Sequence, residues 1–268
     1  NKFISSDAAD RIAIIDSYNI ADTTLKSINT NYFATVFIDD FNNHDFSCTD
    51  LVFNFRFGFD TSIYKVKRGC YGLKFFPASQ DMVIARERKR AAFNRRVRKP
   101  LSNILIYLSS LDEQNKKILI EIIDQAMAGV NVCLLTGLSS NKENLSLQNN
   151  NLSLMPLSDT VTSAIYNADA VITSGGLMKY EAGFCMTPNA SINQNKGQQD
   201  DTDLLAMENL TYDLGSEQEL EENACKIKKK IISFLSHSEQ LRQKCSMAKN
   251  YDIKSIENVA REIVSLLP

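Results

Sequence analysis

The segment ITSGGLMKYEAG, residues 172–183, joins three local patterns in a short stretch of chain. It begins with β-branched residues that favour a strand, continues with the pair Gly175 and Gly176, and ends in a helical pattern that carries Glu181. A strand, a glycine turn and a helix in this order present backbone N–H groups and the positive end of a helix dipole, which suit a phosphate. An ordinary β–α turn with a solvated glutamate has the same pattern, so both interpretations stay open.

Glu181 gives this segment its possible specificity. We expect it in the second turn of the helix, where side chains lean back toward the helix N-terminus and so toward the turn. A carboxylate at that place would accept hydrogen bonds from both hydroxyls of a ribose diol. The sequence therefore makes a nucleotide a candidate ligand.

Short apolar runs alternate with helical patterns along the rest of the chain. Runs of strand length stand at residues 11–16, 32–39, 50–55, 103–108 and 130–135. Helical patterns fall around 21–29 and over 112–127, and a short helix leads into a strand over 163–173. This alternation is typical of parallel sheets with helices on their faces, so we predict an α/β protein.

The alternation restarts after a charged segment, which predicts a second domain. The length of 268 residues also favours two domains. We place the first at residues 1–98, ending in a basic crossover linker over 85–99, and the second at 99–268. Helical patterns dominate from about 216, and the last one sets six apolar residues on one stripe: Ile256, Val259, Ala260, Ile263, Val264 and Leu267.

Composition excludes several classes of function. The net charge of −2 gives no global attraction for nucleic acid. No apolar stretch approaches the ~20 residues that a membrane helix needs. Six scattered cysteines without a CxxC pair, and only two histidines, indicate reduced thiols without a zinc site. We therefore expect a cytoplasmic protein that binds no nucleic acid, has no integral membrane segment and uses neither a metal nor another cofactor.

Two longer segments resemble a known family. They are ADAVITSGGLMKYEAGFCMTP (168–188) and GQQDDTDLLAMENLTYDLG (197–215). They are similar to the nucleotide-binding segment of the UDP-sugar hydrolases of pseudaminic acid biosynthesis, and to the related glycosyltransferase that makes lipid II. IIDSYN (14–19) and ILIYLSSLDEQN (104–115) resemble further stretches of the hydrolases. Both families have the GT-B architecture of two Rossmann-type domains with parallel sheets, here with an incomplete N-terminal one.

The resemblance implies a binding site for a UDP-sugar or UDP. Its residues would be Ser174, Gly175, Gly176, Met178, Glu181, Gln198, Gln199, Ser109, Ser110 and Asp112. The family has threonine where Met178 stands, and glycines where Ser109 and Ser110 stand. The two serines narrow the space where glycines would admit a diphosphate, although their hydroxyls can also donate to phosphate oxygens.

Catalysis is where the chain departs most from the hydrolases. Their catalytic histidine lies in a Gly-x-Gly-His motif, and the resemblance implies that this motif would precede Asn1. Tyr18 and Asp16 are the remaining catalytic candidates. Tyr18 could orient a water or a sugar hydroxyl, or could be a partly buried tyrosine; Asp16 could be a catalytic carboxylate, but we favour a cap of the following helix.

The segment RERKRAAFNRRVRK (86–99) is a strong basic cluster. It could contact nucleic acid or an acidic membrane surface, but its helical spacing favours a solvated crossover helix. Taken together, the residues and the resemblance predict a UDP-sugar hydrolase of surface-polysaccharide or pseudaminic acid biosynthesis. The alternatives are a GT-B glycosyltransferase with a UDP-sugar donor, and a non-catalytic nucleotide-sugar-binding relative or partner subunit.

Overall fold

A computed structural model describes residues 11–17, 19–40, 42–95, 100–108, 111–136, 147–157 and 161–267. The strands are β1 (Ile12–Asp16), β2 (Ala34–Ile38), β3 (Leu51–Asn54), β4 (Gly69–Tyr71), β5 (Asn103–Tyr107), β6 (Asn131–Thr136), β7 (Asn151–Pro156), β8 (Ala170–Ser174), β9 (Asn189–Asn193) and β10 (Tyr212–Ser216). The helices are α1 (Asp22–Asn31), α2 (Gln80–Asn94), α3 (Glu113–Ala126), α4 (Val161–Asn167), α5 (Met178–Phe184), α6 (Lys196–Met207), α7 (Glu217–Glu222), α8 (Ala224–Phe234), α9 (His237–Asn250) and α10 (Ser255–Val264).

The chain forms two compact units, which we call the first unit and the second unit. The first comprises Asn1–Pro77 together with Asp252–Pro268, and the second is the continuous stretch Ala78–Tyr251. Each contains one parallel sheet, of four and six strands respectively. The α/β prediction is confirmed, and all five apolar runs that we assigned as strands form strands.

The sheet of the first unit has the order β1-β2-β3-β4. Alternate residues of its strands point to opposite faces and build two cores. On one face, Phe37 and Val52 pack with Leu25 of α1 and with Phe46. On the other face, a second cluster packs under α10: Val36, Leu51, Phe53, Cys70 and Phe75, with Val259, Ile263 and Leu266 against them.

The last helix does not bury the whole predicted stripe. Val259 and Ile263 face the sheet of the first unit, whereas Ile256, Val264 and Leu267 are exposed. Among the described strands β1 pairs only with β2, so no described strand covers its other edge. Ile14 in this strand is 58% exposed. The first unit therefore presents apolar side chains both on α10 and on β1.

The sheet of the second unit has the order β10-β9-β8-β5-β6-β7. From β5 the chain proceeds to β6 and β7 on one side, then crosses back so that β8, β9 and β10 follow on the other side. The main core lies under α3 and α8, around Ile106, Ile123 and Ile231. Between β5 and β8 the strand order reverses, and this position organises the site described below.

The two units differ in extent from the predicted domains. Helix α2, which begins at Gln80, lies in the second unit, whereas α10 lies in the first. The reason is packing: Ala85 of α2 belongs to a core cluster of the second sheet, and Val259 of α10 packs against the first sheet. The boundary predicted at residues 98/99 therefore differs from the structural one at 77/78.

The basic segment is not simply a solvated helix face. Arg86 is completely buried and donates to the backbone carbonyl oxygens of Phe184, Met247 and Tyr251 at 2.7, 3.0 and 2.8 Å. Lys89 donates to two carbonyl oxygens at the end of α4 and to Thr187. Arg88, Arg90 and Arg95 are exposed as predicted, and residues 96–99 lie outside the described residues. The side chains of Arg86 and Lys89 therefore form hydrogen bonds within the second unit.

Over the described ranges, none of the helices combines the length and the apolar character required to cross a bilayer.

Candidate functional site

The strand order of the second unit defines where a ligand would bind. In parallel α/β sheets, ligands occupy the crevice at the carboxyl ends of the strands where the strand order reverses. Here that position lies between β5, which ends at Tyr107, and β8, which ends at Ser174. Most predicted site residues of this unit lie at the end of β8 or in the segments that follow these two strands, whereas Gln198 and Gln199 lie in α6, which follows β9.

The two glycines after β8 have different roles. A Cβ atom on Gly175 would collide with the side-chain oxygen of Asn193 and would lie 2.9 Å from Cβ of Gln198. A Cβ atom on Gly176 would find no neighbour closer than Ser174 O at 3.9 Å. Gly175 is therefore required for packing against β9 and α6, whereas Gly176 leaves open space beside the backbone.

Glu181 stands in the first turn of α5, one turn earlier than predicted. Its side chain is partly buried, and it forms no hydrogen bond or ion pair with any residue in the described part of the chain. Burial without compensation raises the pKa of this carboxyl above its usual value. A partly buried carboxylate without a partner beside an open glycine turn is suited to bind a hydroxyl or amine donor.

The other predicted residues of this segment have different environments. Ser174 is buried at the end of β8. Met178 is also buried, and its side chain packs into an apolar cluster with Leu105, Val171 and Ala182. Met178 therefore contributes its side chain to the core of the second unit. Its assignment to the binding site stays a prediction.

Gln198 and Gln199 lie in the first turn of α6, and both form hydrogen bonds within the protein. Gln198 Oε1 accepts from the backbone N–H of Gln194 at 2.9 Å. Gln199 uses its whole amide, since Oε1 accepts from Asn193 at 3.0 Å and Nε2 donates to Asp203 and Asp213. Gln198 keeps an amide nitrogen without a partner in the described chain and so remains able to contact a ligand; Gln199 does not.

Asp112 is the N-cap of α3. Its carboxylate accepts from the backbone N–H of Asn115 at 2.9 Å and from the Asn115 side chain at 2.7 Å. These hydrogen bonds, with that of the Asn115 backbone the strongest, hold the pKa of Asp112 below its usual value. Ser109 and Ser110 lie outside the described residues, so their expected effect on diphosphate binding stays a prediction.

Sequence reasoning did not identify Lys179 and Asp201. Lys179 is almost fully buried, and its ammonium lies 2.8 Å from Asp201 Oδ2 and 3.0 Å from the carbonyl oxygen of Gly175. A lysine inside a helical pattern is normally solvated, so the sequence carries no signal for this pair.

In the first unit, the catalytic candidates are only partly visible. Tyr18 lies outside the described residues. Asp16 is exposed at the end of β1, and the N-cap of α1 is Ala21 without a side-chain cap. The expectation that Asp16 caps the following helix is therefore wrong, because four residues lie between it and Ala21.

A polar network occupies the carboxyl ends of β2 and β3. The hydroxyl of Tyr64 donates to Asp39, which also accepts from the backbone N–H of Asn42 at 2.7 Å. Asn54 donates to the Tyr64 oxygen at 2.9 Å. Burial and the neighbouring carboxylate raise the pKa of Tyr64 above its usual range. Asp39 therefore connects the segments around Asn42 and Tyr64 by hydrogen bonds.

The described residues contain no cluster of histidine, cysteine or carboxylate side chains that could hold a metal ion.

Comparisons with known proteins identify solved structures with the same fold. No protein-family model matches the chain, and no curated protein matches it in sequence. Three solved structures share its fold. MurG of Acinetobacter baumannii has a TM-score of 0.59 at 12% identity, with 87% of this chain and 67% of MurG covered. The spinosyn rhamnosyltransferase SpnG has a TM-score of 0.60 at 13% identity, with 95% and 72% covered.

The third is the UDP-GlcNAc 2-epimerase of Neisseria meningitidis bound to UDP-GlcNAc, with a TM-score of 0.52 at 12% identity and coverages of 91% and 79%. Two further glycosyltransferases match in part, and the chain spans 46% and 44% of their lengths. At such identities the similarity concerns the fold. The chain has a GT-B-like α/β fold, which it shares with the rhamnosyltransferase SpnG, with MurG and with this epimerase.

Proposed function

We propose that the chain binds a UDP-sugar at the carboxyl end of β8 and acts as the donor-binding part of a glycosyltransferase. The observation that carries the proposal is Glu181. Its carboxylate is partly buried, lacks a partner in the described chain and lies in the first turn after the glycine pair. A buried acceptor without a donor is costly, so a ligand that supplies donors would be favoured there.

The chemistry of the turn fits the other half of a nucleotide. Gly176 leaves room for a group to approach the backbone, and the turn lies where the strand order reverses. A diphosphate would lie against this backbone while Glu181 accepts from the ribose hydroxyls. Uridine as the base is supported by a neighbour of the same fold, the epimerase whose structure contains UDP-GlcNAc.

Transfer to an acceptor has more support than hydrolysis. Of the three solved structures described above, SpnG is named as a rhamnosyltransferase and none is named as a UDP-sugar hydrolase. Hydrolysis remains the second candidate, supported by the resemblance of residues 168–188 to the hydrolases of pseudaminic acid biosynthesis. In that reaction water would attack the anomeric carbon, the bond from that carbon to the diphosphate oxygen would break, and UDP would leave.

Binding is tested first, by thermal unfolding and calorimetric titration with UDP. UDP at millimolar concentration should raise the melting temperature, and Glu181→Ala should abolish the shift, since an unsatisfied ribose diol loses about 1–3 kcal/mol. Gln199→Ala is the matched control, because its amide is already used inside the protein. Absence of a shift in the unmodified chain would refute the donor site.

Reaction class is tested by release of UDP from UDP-N-acetylglucosamine. A transferase releases UDP substantially only when sugar or lipid-linked sugar acceptors are added, whereas a hydrolase releases it in water alone. Rapid release without an acceptor would replace our proposal by the second candidate. Binding without release in either mixture would leave a nucleotide-sugar-binding protein without catalysis.

A further inference from the structure

Lys179 is a buried cation whose contacts converge on the glycine turn. It is 1% exposed, and its ammonium donates to the carbonyl oxygen of Gly175 at 3.0 Å and to Thr202 Oγ1 at 3.1 Å. Asp201, also buried, supplies the counter-charge at 2.8 Å. Because Lys179 is enclosed, it has no path to touch a ligand, and any effect on one must pass through the Gly175 carbonyl group.

The ion pair belongs to a connected network. Asp201 Oδ1 accepts from the hydroxyl of Tyr180 at 2.6 Å. Thr202 donates to Asn193 Oδ1 at 2.8 Å, the same oxygen against which Gly175 is packed. A buried ion pair seldom adds net stability over apolar residues of similar volume. Its location under a functional turn instead indicates a role in fixing conformation.

The contacts fix one peptide group from both of its sides. The C=O of Gly175 points at Lys179, and the N–H of Gly176 in the same planar trans peptide donates back to Ser174 O at 2.5 Å. The open space beside Gly176 lies next to this fixed peptide group.

We propose that Lys179 is a positioning residue for the nucleotide site. Held by Asp201, its ammonium fixes the Gly175–Gly176 peptide beside the open space at Gly176, where the proposed diphosphate would lie. This inference rests on the proposed function for the identity of the ligand. The order that Lys179 imposes on the turn is a property of the ligand-free protein and can be measured without any nucleotide.

The test compares Lys179→Met with Tyr180→Phe in the full chain. The first variant removes the contact with the Gly175 carbonyl, whereas the second removes a hydrogen bond to the same Asp201 carboxylate and leaves that contact in place. In the ligand-free protein, hydrogen exchange of the Gly176 amide, followed by NMR, should be about tenfold faster in Lys179→Met and within about twofold of the original in Tyr180→Phe. Equal rates in all three proteins would overturn the proposal.

Calorimetric titration supplies the second measurement, with UDP and with uridine. Lys179→Met should lower UDP affinity about tenfold more than uridine affinity, because only the diphosphate would lie against the glycine turn. Tyr180→Phe should leave the ratio of the two affinities unchanged. Lys179→Gln should lower the ratio of UDP affinity to uridine affinity less than Lys179→Met does, because its amide can donate to the Gly175 carbonyl oxygen. An unchanged ratio in Lys179→Met would overturn the proposal.

Two outcomes separate this inference from the proposed function. If the unmodified chain bound neither UDP nor uridine, the nucleotide site would be refuted, and with it the positioning role. Exchange of the Gly176 amide would then report only whether Lys179 orders the turn. If Lys179→Met failed to fold, the isosteric Asp201→Asn would replace it in both measurements, with the same expected direction and the same overturning result.

Discussion

Gly175 and Gln198 approach each other so closely that a methyl group on Gly175 would lie 2.9 Å from the Cβ atom of Gln198. This contact joins the turn after β8 to the first turn of α6. Its neighbour Gly176 has open space on the corresponding side. The pair of glycines therefore combines one residue needed for packing with one that leaves the backbone accessible.

Alanine at these two positions should have opposite consequences. Gly175→Ala should destabilise the protein by about 1–3 kcal/mol, because the added methyl group overpacks a buried contact. Gly176→Ala should change the free energy of unfolding by less than about 1 kcal/mol and weaken UDP binding, because the methyl group occupies the approach to the turn. Urea unfolding and calorimetric titration measure the two effects. Strong UDP binding by Gly176→Ala would contradict the proposed position of the diphosphate.

Glu181→Gln should separate stability from binding. Burial raises the pKa of the carboxyl above the 4.5 of an unperturbed glutamate, so this group favours the folded state when protonated and opposes it when charged. Its favourable contribution is complete below about pH 4.5 and is lost as the pH rises through the folded-state pKa. At pH 7 the amide variant should unfold at higher urea concentration than the original and bind UDP more weakly, and the stability difference should vanish in acid.

Lys89 should make stability rise with pH on the alkaline side of neutrality. Burial lowers the pKa of its amine from 10.5 to about 7. Between these values the unfolded chain binds more protons than the folded one, so the free energy of unfolding increases with pH. Chemical unfolding from pH 7 to 10 should show a steeper increase for the original than for Lys89→Met. The exposed Arg90→Met is the control and should keep the original slope.

Arg86→Lys should destabilise the protein, although both side chains carry a positive charge. The guanidinium of Arg86 spans three backbone carbonyl oxygens, those of Phe184, Met247 and Tyr251, and an ammonium cannot reproduce that geometry. We expect a loss of about 2–4 kcal/mol, as for other disrupted buried charges. Arg90→Lys, on the exposed part of the same helix, should change stability by less than about 0.5 kcal/mol. Similar unfolding curves for both variants would contradict the anchoring role of Arg86.

The edge of β1 that no described strand covers should allow the chain to self-associate. A flat apolar edge strand is a template for pairing with another chain, and a lysine on the edge prevents this. Ile14→Lys should therefore shift the protein toward monomer in sedimentation experiments at high concentration. Ile63→Lys, which changes an exposed isoleucine in a short 3₁₀ helix, is the control and should leave association unchanged.

Apolar strands were predictable from the sequence, and polar buried strands were not. The run NILIYL (103–108) predicted β5, because a strand in the middle of a parallel sheet is covered on both faces. Strand β9 is equally buried, but Asn189, Ser191 and Asn193 interrupt its apolar pattern. The amide of Asn189 is satisfied by Leu210 O and Thr211, contacts that only the folded structure reveals.

The candidate site was predictable where backbone geometry decides it. The glycine pair and Glu181 stand out in the sequence because a strand, a turn and a helix follow one another. Lys179 and Arg86 could not be recognised, because nothing in a local pattern distinguishes a buried cation from a solvated one. The partners of Arg86 also lie far away in the chain, as Tyr251 shows.

The division of the first unit between the two ends of the chain sets an order of events during synthesis. Strands β1–β4 leave the ribosome before Ala78–Tyr251, whereas α10, which covers one face of their sheet, is made only after that stretch. At about 5–20 residues per second, that face waits on the order of ten to thirty seconds while Ala78–Tyr251 is translated. The second unit is continuous and can fold during this interval. The first unit of a nascent chain can therefore complete its packing only after α10 has been made.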